Sequence, residues 1–149
     1  MNESQVKVIL LVDDDQESFA LFKHVLNLVP GNFDLRTVRD GQAALNYLGD
    51  KNNPTPDYVF LDLNMPRMGG LECLTGIRSI RRLRDLPVIV WTMGIRENDL
   101  QDAKGMKASA FMVKPSDFDD FYQDLEFILS GPHMPGRYPN HTIEFFAPM

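Results

Sequence analysis

Five side chains in this sequence have types and positions that could do phosphoryl chemistry. Asp13 and Asp14 follow the aliphatic run Val6–Val12. Asp62 ends the run that begins at Tyr58, Thr92 ends the run Val88–Thr92, and Lys114 follows Ala110–Val113. A charged group at the end of a buried strand is costly unless something pairs with it. Three carboxylates brought within a few ångströms repel, so together they require a cation. All-oxygen ligands select a hard ion, and Mg²⁺ prefers few carboxylates plus waters and a phosphate oxygen. One ammonium and one hydroxyl then complete a cradle for a tetrahedral dianion. The set reads as phosphoryl transfer to a carboxylate. Asp62 is the nucleophile, giving an aspartyl-phosphate. The metal neutralises charge on the phosphoryl oxygens, Lys114 pairs with one of them, and Thr92 hydrogen-bonds another.

The elements that must position these groups are legible in order. Val6–Val12 is almost continuously aliphatic, as in a strand covered on both faces. Asp15 is placed to cap a helix carrying Phe19, Phe22, Val25, Leu26 and Val29 at helical spacing, and Pro30-Gly31 stops it. Residues 33–38 read as a second strand. Asp40-Gly41 turns into a short helix with Ala44, Leu45 and Leu48, closed by Gly49. A third strand runs to Asp62, and Gly69-Gly70 opens a helix with Leu71, Leu74 and Ile77. A fourth strand ends at Thr92 and is followed by a polar helix over 97–104. The fifth strand ends before Lys114-Pro115, and Ser116 caps a last helix with Phe118, Phe121, Leu125, Ile128 and Leu129 inward. Strands alternating with helices predict an α/β fold: a doubly wound parallel sheet with right-handed crossovers and helices on both faces. In such sheets ligands bind at the carboxyl ends of the strands, where the five polar residues fall. The expected division is one domain over 1–131 and a tail over 132–149 without a domain of its own.

Composition narrows the function classes. Lys plus Arg number 15 against 21 Asp plus Glu, a net charge of −6, which disfavours nucleic-acid contact. Apolar residues at 44 % suffice for a folded core. The single cysteine, Cys73, excludes an internal disulfide. No signal peptide is legible and no apolar run approaches the roughly 20 residues of a membrane span, so the expected location is cytoplasmic. Asn140-His141-Thr142 matches a glycosylation sequon, which we read as chance for want of a secretory signal. Arg78, Arg81, Arg82 and Arg84 read as a solvated face at a helix carboxyl end. Taken singly, Asp13 to Asp15 could be only a helix cap and Lys114 only a surface lysine; their combination with Asp62 favours a site.

The residues Leu11-Val12-Asp13-Asp14, Asp62-Leu63-Asn64-Met65-Pro66, Gly69-Gly70, Trp91-Thr92 and Lys114-Pro115 occur in the order and spacing of a known family. Over about residues 5–130 the chain resembles the receiver domains of two-component response regulators, the CheY-like proteins. The resemblance implies a flavodoxin-like three-layer fold with a five-stranded sheet in the order 2-1-3-4-5. It implies Asp62 as phosphoacceptor, with Asp14, Asp62 and the backbone carbonyl of Asn64 ligating Mg²⁺ and Asp13 acting mainly through water. It also implies a cis Lys114–Pro115 bond and a switch coupling Thr92 to Phe111. Many members carry Tyr where this chain has Phe111, and a small residue where it has Met93; we read Met93 as crowding water or a phosphatase. The loop over 49–56 and Arg39-Asp40-Gly41 resemble single-domain receivers that serve phytochrome-like sensor kinases. The implied partners are a histidine kinase or histidine phosphotransfer protein. The implied assembly is a monomer or a phosphorylation-linked homodimer, without nucleic acid or membrane.

Three other readings compete. A dehalogenase-type phosphatase needs an Asp where Asn64 stands and a Thr or Val where Pro66 stands. A flavin binder needs a Ser/Thr/Gly-rich loop where Asp13 to Asp15 would repel the flavin phosphate. A degenerate receiver used only for protein contact is opposed by the presence of every landmark residue.

Overall fold

The computed structural model describes residues 5–94, 97–138 and 142–149; Asn140 and His141 of the sequon lie outside them. The chain runs β1 (Val6–Val12), α1 (Gln16–Leu26), β2 (Asn32–Val38), α2 (Gly41–Gly49) and β3 (Tyr58–Asp62). It continues α3 (Gly70–Ser79), β4 (Val88–Thr92), α4 (Glu97–Gly105), β5 (Ala110–Val113) and α5 (Phe118–Leu129), and ends with β6 (Gly136–Tyr138) and β7 (Ile143–Phe145). The sheet order is β2-β1-β3-β4-β5-β7-β6. Its first five strands are parallel and lie in the expected order.

Alternation along the central strands divides the core in two. Leu10, Val12, Val59, Leu61, Val88, Val90 and Phe111 pack with α2, α3 and α4. Ile9, Leu11, Phe60, Ile89, Trp91 and Met112 pack with α1 and α5. Period-two side-chain direction thus covers both faces of each inner strand with apolar groups, which is why β1 reads as a near-continuous aliphatic run. Among the described residues no helix is long and apolar enough to cross a membrane.

The helices start where carboxylates can satisfy their first N–H groups. Asp15 accepts from the Glu17 N–H, and Asp40 from the Ala43 N–H at 2.8 Å. The last helix is capped by Asp117, which accepts from the Asp120 N–H at 2.9 Å, and not by Ser116 as expected. Asp117 holds the extended backbone of a cap, with φ −127° and ψ 163°, while Ser116 lies one residue too early.

The sheet has seven strands where five were expected, because the tail returns to it. β7 pairs antiparallel with β5, Phe111 opposite Glu144, and β6 pairs with β7. The tail is further tied by paired backbone bonds between His133 and Met149 and by the Phe146 N–H donating to the Ser109 carbonyl. Ile143 and Phe145 enter the core beside α5. Strands of three residues are too short to show a period, so they left no signal in the sequence. Pairing covers the outer edge of β5, which would otherwise present unpaired N–H and C=O groups.

Among the described residues the cis peptide bond is Gly131–Pro132. Lys114–Pro115 is trans, against the expectation. The trans form is favoured intrinsically by about 0.5–1 kcal/mol for X–Pro bonds. The Lys114 N–H donates to the Thr92 carbonyl at 2.7 Å, one step beyond the β4–β5 ladder.

Candidate functional site at the carboxyl edge of the sheet

Strand register places the acidic groups. Val12 lies opposite Leu61, so the next step sets Asp13 beside Asp62. Asp62 lies opposite Trp91, and Thr92 opposite Val113, which brings Lys114 to the same edge. The result is a pocket in which carboxylate oxygens of Asp13, Asp14 and Asp62 all lie within 4.8 Å of one another. Asp13 and Asp62 are buried, whereas Asp14 is exposed at the rim.

One cation enters the pocket. The Lys114 Nζ is 2.8 Å from Asp13 Oδ2 and 3.4 Å from Asp62 Oδ2. The second oxygens of both acids are engaged locally: Asp13 Oδ1 accepts from the Asp15 N–H and Asp62 Oδ1 from the Asn64 N–H. A single ammonium against three carboxylates leaves excess negative charge in a space of little water. Burial pushes the Asp62 carboxyl up from 3.8 to about 6. The Asn64 N–H and Lys114 oppose that rise, and Asp13 adds to it. An all-oxygen set with uncompensated charge fits a hard divalent cation.

Thr92 is buried and accepts a hydrogen bond from Asn64 Nδ2 at 3.1 Å. Phe111 is buried among the α2–α4 side of the core. Met93 is 78 % exposed beside Thr92. The arrangement therefore gathers Asp13, Asp14, Asp62 and Lys114, sets Thr92 against the Asn64 side chain, and leaves Phe111 within the core below.

Two features of the site gave weaker signals in the sequence. Gly70 opens α3 where a Cβ would come within 2.3 Å of the Asp62 carbonyl and 2.8 Å of Leu63 Cα. Backbone meets backbone there, so no side chain can give way. The Gly69-Gly70 pair showed a loop opening but not this contact. We expect Gly70→Ala to lower stability by about 1–3 kcal/mol, read by urea unfolding. An unchanged midpoint would show that α3 does not seat against the Asp62 backbone. The second feature is Trp91, whose ring lies under the Lys114 ammonium at 4.7 Å to the centroid.

A doubly wound sheet with an acid pocket and one lysine at its carboxyl edge defines a protein of the flavodoxin-like class whose site is compatible with a divalent metal. More narrowly, residues 9–126 match the response regulator receiver domain, and the chain belongs to that family. It is 31 % identical over 128 residues to the response regulator Rcp1 of Synechocystis, covering 83 % of this chain and 87 % of that protein. It is 32 % identical over 124 residues to a probable methanogenesis regulatory protein, FilR2, of Methanothrix harundinacea, covering 81 % and 80 %. The crystal structure of the Mn²⁺-bound form of Rcp1 superposes with a TM-score of 0.76 over 83 % of this chain and 92 % of that one, at 31 % identity. The phosphorylated cyanobacterial phytochrome response regulator RcpA gives 0.74 over 83 % and 91 %, also at 31 % identity. The chain is thus a signalling receiver domain, with an acidic pocket compatible with a divalent metal.

Proposed function

We propose that this receiver accepts a phosphoryl group on Asp62, from a phosphohistidine of a sensor kinase or phosphotransfer protein, in a Mg²⁺-dependent reaction. The observation that carries the reading is the Lys114 ammonium standing between Asp13 and Asp62, with Asp14 joining the same oxygen cluster. The ionised Asp62 carboxylate attacks phosphorus. An O–P bond forms, the P–N bond to the donor imidazole breaks, and the nitrogen keeps the electron pair. Lys114 is placed to follow the charge onto a phosphoryl oxygen, at the cost of its contact with Asp62. Asp13, Asp14, Asp62 and the Asn64 carbonyl are the residues that would hold Mg²⁺. When bound, the ion supplies charge neutralisation for the transferring phosphoryl group.

Thr92 has a hydroxyl to offer a second phosphoryl oxygen once it leaves Asn64 Nδ2. Phe111 is the proposed switch residue that follows this movement. Phe111 brings shape and no hydroxyl, so the output rests on packing alone. The chemistry is confined to the chain's own phosphorylation and dephosphorylation, in the cytoplasm. A phytochrome-like kinase is the partner class suggested by the similarity to a phytochrome response regulator.

The test is incubation with acetyl phosphate and Mg²⁺, followed by intact mass. Wild type gains one phosphoryl group; Asp62→Asn gains none, and wild type without Mg²⁺ gains at least tenfold less in the same time. Equal uptake by Asp62→Asn would move the acceptor elsewhere. No uptake by wild type would leave a receiver that works by contact alone.

A further inference from the structure

We propose that Trp91 is a positioning residue: the face of its indole ring holds the Lys114 ammonium at the mouth of the acid pocket. The inference rests on the reading of Lys114 as the group that follows charge onto the phosphoryl oxygens.

Lys114 sits on a flexible four-carbon stem, and two carboxylates compete for its ammonium at 2.8 and 3.4 Å. At 2.8 Å the ammonium is fully paired with Asp13, while its reach to Asp62 is longer, so a further contact can decide how it stands between the two acids. A third contact is present: the ring of Trp91 lies 4.7 Å away from Nζ, within cation–π range. Indole is the most effective neutral partner for such a cation.

The ring cannot drift, because its own neighbours clamp it. Phe22 from α1 meets it edge-on at 5.7 Å and Phe60 from β3 edge-on at 6.4 Å, and Phe121 from α5 lies tilted against it at 5.8 Å. Trp91 is 1 % exposed, and its Nε1–H has no hydrogen-bond partner among the described residues. A buried N–H without an acceptor is unfavourable, and Phe or Leu would fill this apolar cluster without one. Packing therefore gives no reason for an indole here, whereas an ammonium over its face does. Register supplies the geometry: Trp91 is the strand partner of Asp62, on the side of the sheet covered by α1 and α5. Phe111, the proposed switch residue, lies on the other side.

The chain contains one tryptophan, so fluorinated tryptophan can be introduced at this position alone. Mono-, di- and tetrafluorotryptophan withdraw electron density from the ring face with little change of volume. The initial rate of Asp62 phosphorylation by acetyl phosphate with Mg²⁺ should fall stepwise along the series, by about three- to thirtyfold in total. Thermal stability should not follow the same order. By NMR, the Lys114 ε-methylene protons should be shifted upfield by the ring, and return toward ordinary lysine values in Trp91→Leu. A purely structural Trp91 would leave the rate flat across the series. That result, or an unshifted Lys114 methylene in the unsubstituted protein, overturns the inference. If the unsubstituted protein takes up no phosphoryl group, the functional reading fails separately, and the methylene shift alone decides whether Trp91 holds Lys114.

Discussion

Asp62→Asn is expected to stabilise the metal-free protein by about 3 kcal/mol at neutral pH, at about 1.36 kcal/mol per pKa unit. The Asp62 carboxyl is raised from 3.8 to about 6, first by burial and then by Asp13, against the pull of the Asn64 N–H and Lys114. A carboxyl with a higher pKa folded than unfolded holds its proton more tightly in the folded chain. Its ionised form therefore opposes folding above the folded pKa, and the opposition fades as pH falls. The advantage of Asn is full above about pH 6, shrinks toward 3.8, and vanishes once the acid is protonated in both states. Urea unfolding of both proteins across this range measures it. A difference that grows on acidification would contradict the assignment of strain to the buried carboxylate.

The same variant separates charge strain from metal binding. A divalent cation that binds only the folded state stabilises it by about 2.7 kcal/mol at a hundredfold excess over its dissociation constant. Wild type should gain that increment with Mg²⁺, and Asp62→Asn should gain much less because one carboxylate is missing from the oxygen set. The group that destabilises the resting chain is thus the one proposed to hold the ion and accept phosphorus.

Phe145→Ala is the second change of large expected effect, a loss of about 3–5 kcal/mol, as for other buried aromatic truncations. Phe145 is 1 % exposed, stacked on the His133 ring at 4.7 Å and set edge-on to Tyr138 at 5.3 Å. Phe127 of α5 closes the group at 6.2 Å. Truncation would open a cavity between the hairpin and α5 and loosen β7, the strand that covers β5. For a domain of this size a loss of that order lowers Tm by about 10 °C, and a thermal melt reads it directly. A shift of only one or two degrees would mean that the hairpin is not docked in solution. Because β7 lies against Phe111 in β5, the undocked variant would also lose one wall of the region where the proposed switch acts.

Much of the architecture was written in local pattern. Aliphatic runs bounded by Gly, Pro and Asp located the five parallel strands, and helical spacing located the faces of α1, α3 and α5. The polar residues at the strand ends could be named because each interrupts an apolar run, and a charge there needs a reason. Ser116 against Asp117 as the cap of α5 turned on one residue of backbone geometry, since both side-chain types cap helices and only the fold places one of them at the cap. The trans Lys114–Pro115 bond differs from what the family resemblance implied, and no feature of the residues themselves had called for cis.

By itself the sequence determined the fold class, the order of its strand–helix pairs and the residues able to meet at one edge, since those follow from periodicity and from where charge interrupts it. Only the tertiary structure decided which contacts those residues make. Parallel registers set Asp13 beside Asp62 and Asp62 beside Trp91, though these positions lie far apart along the chain. It also decided that the tail joins the sheet, because two three-residue strands acquire their structure from the edge of β5 and not from any pattern of their own.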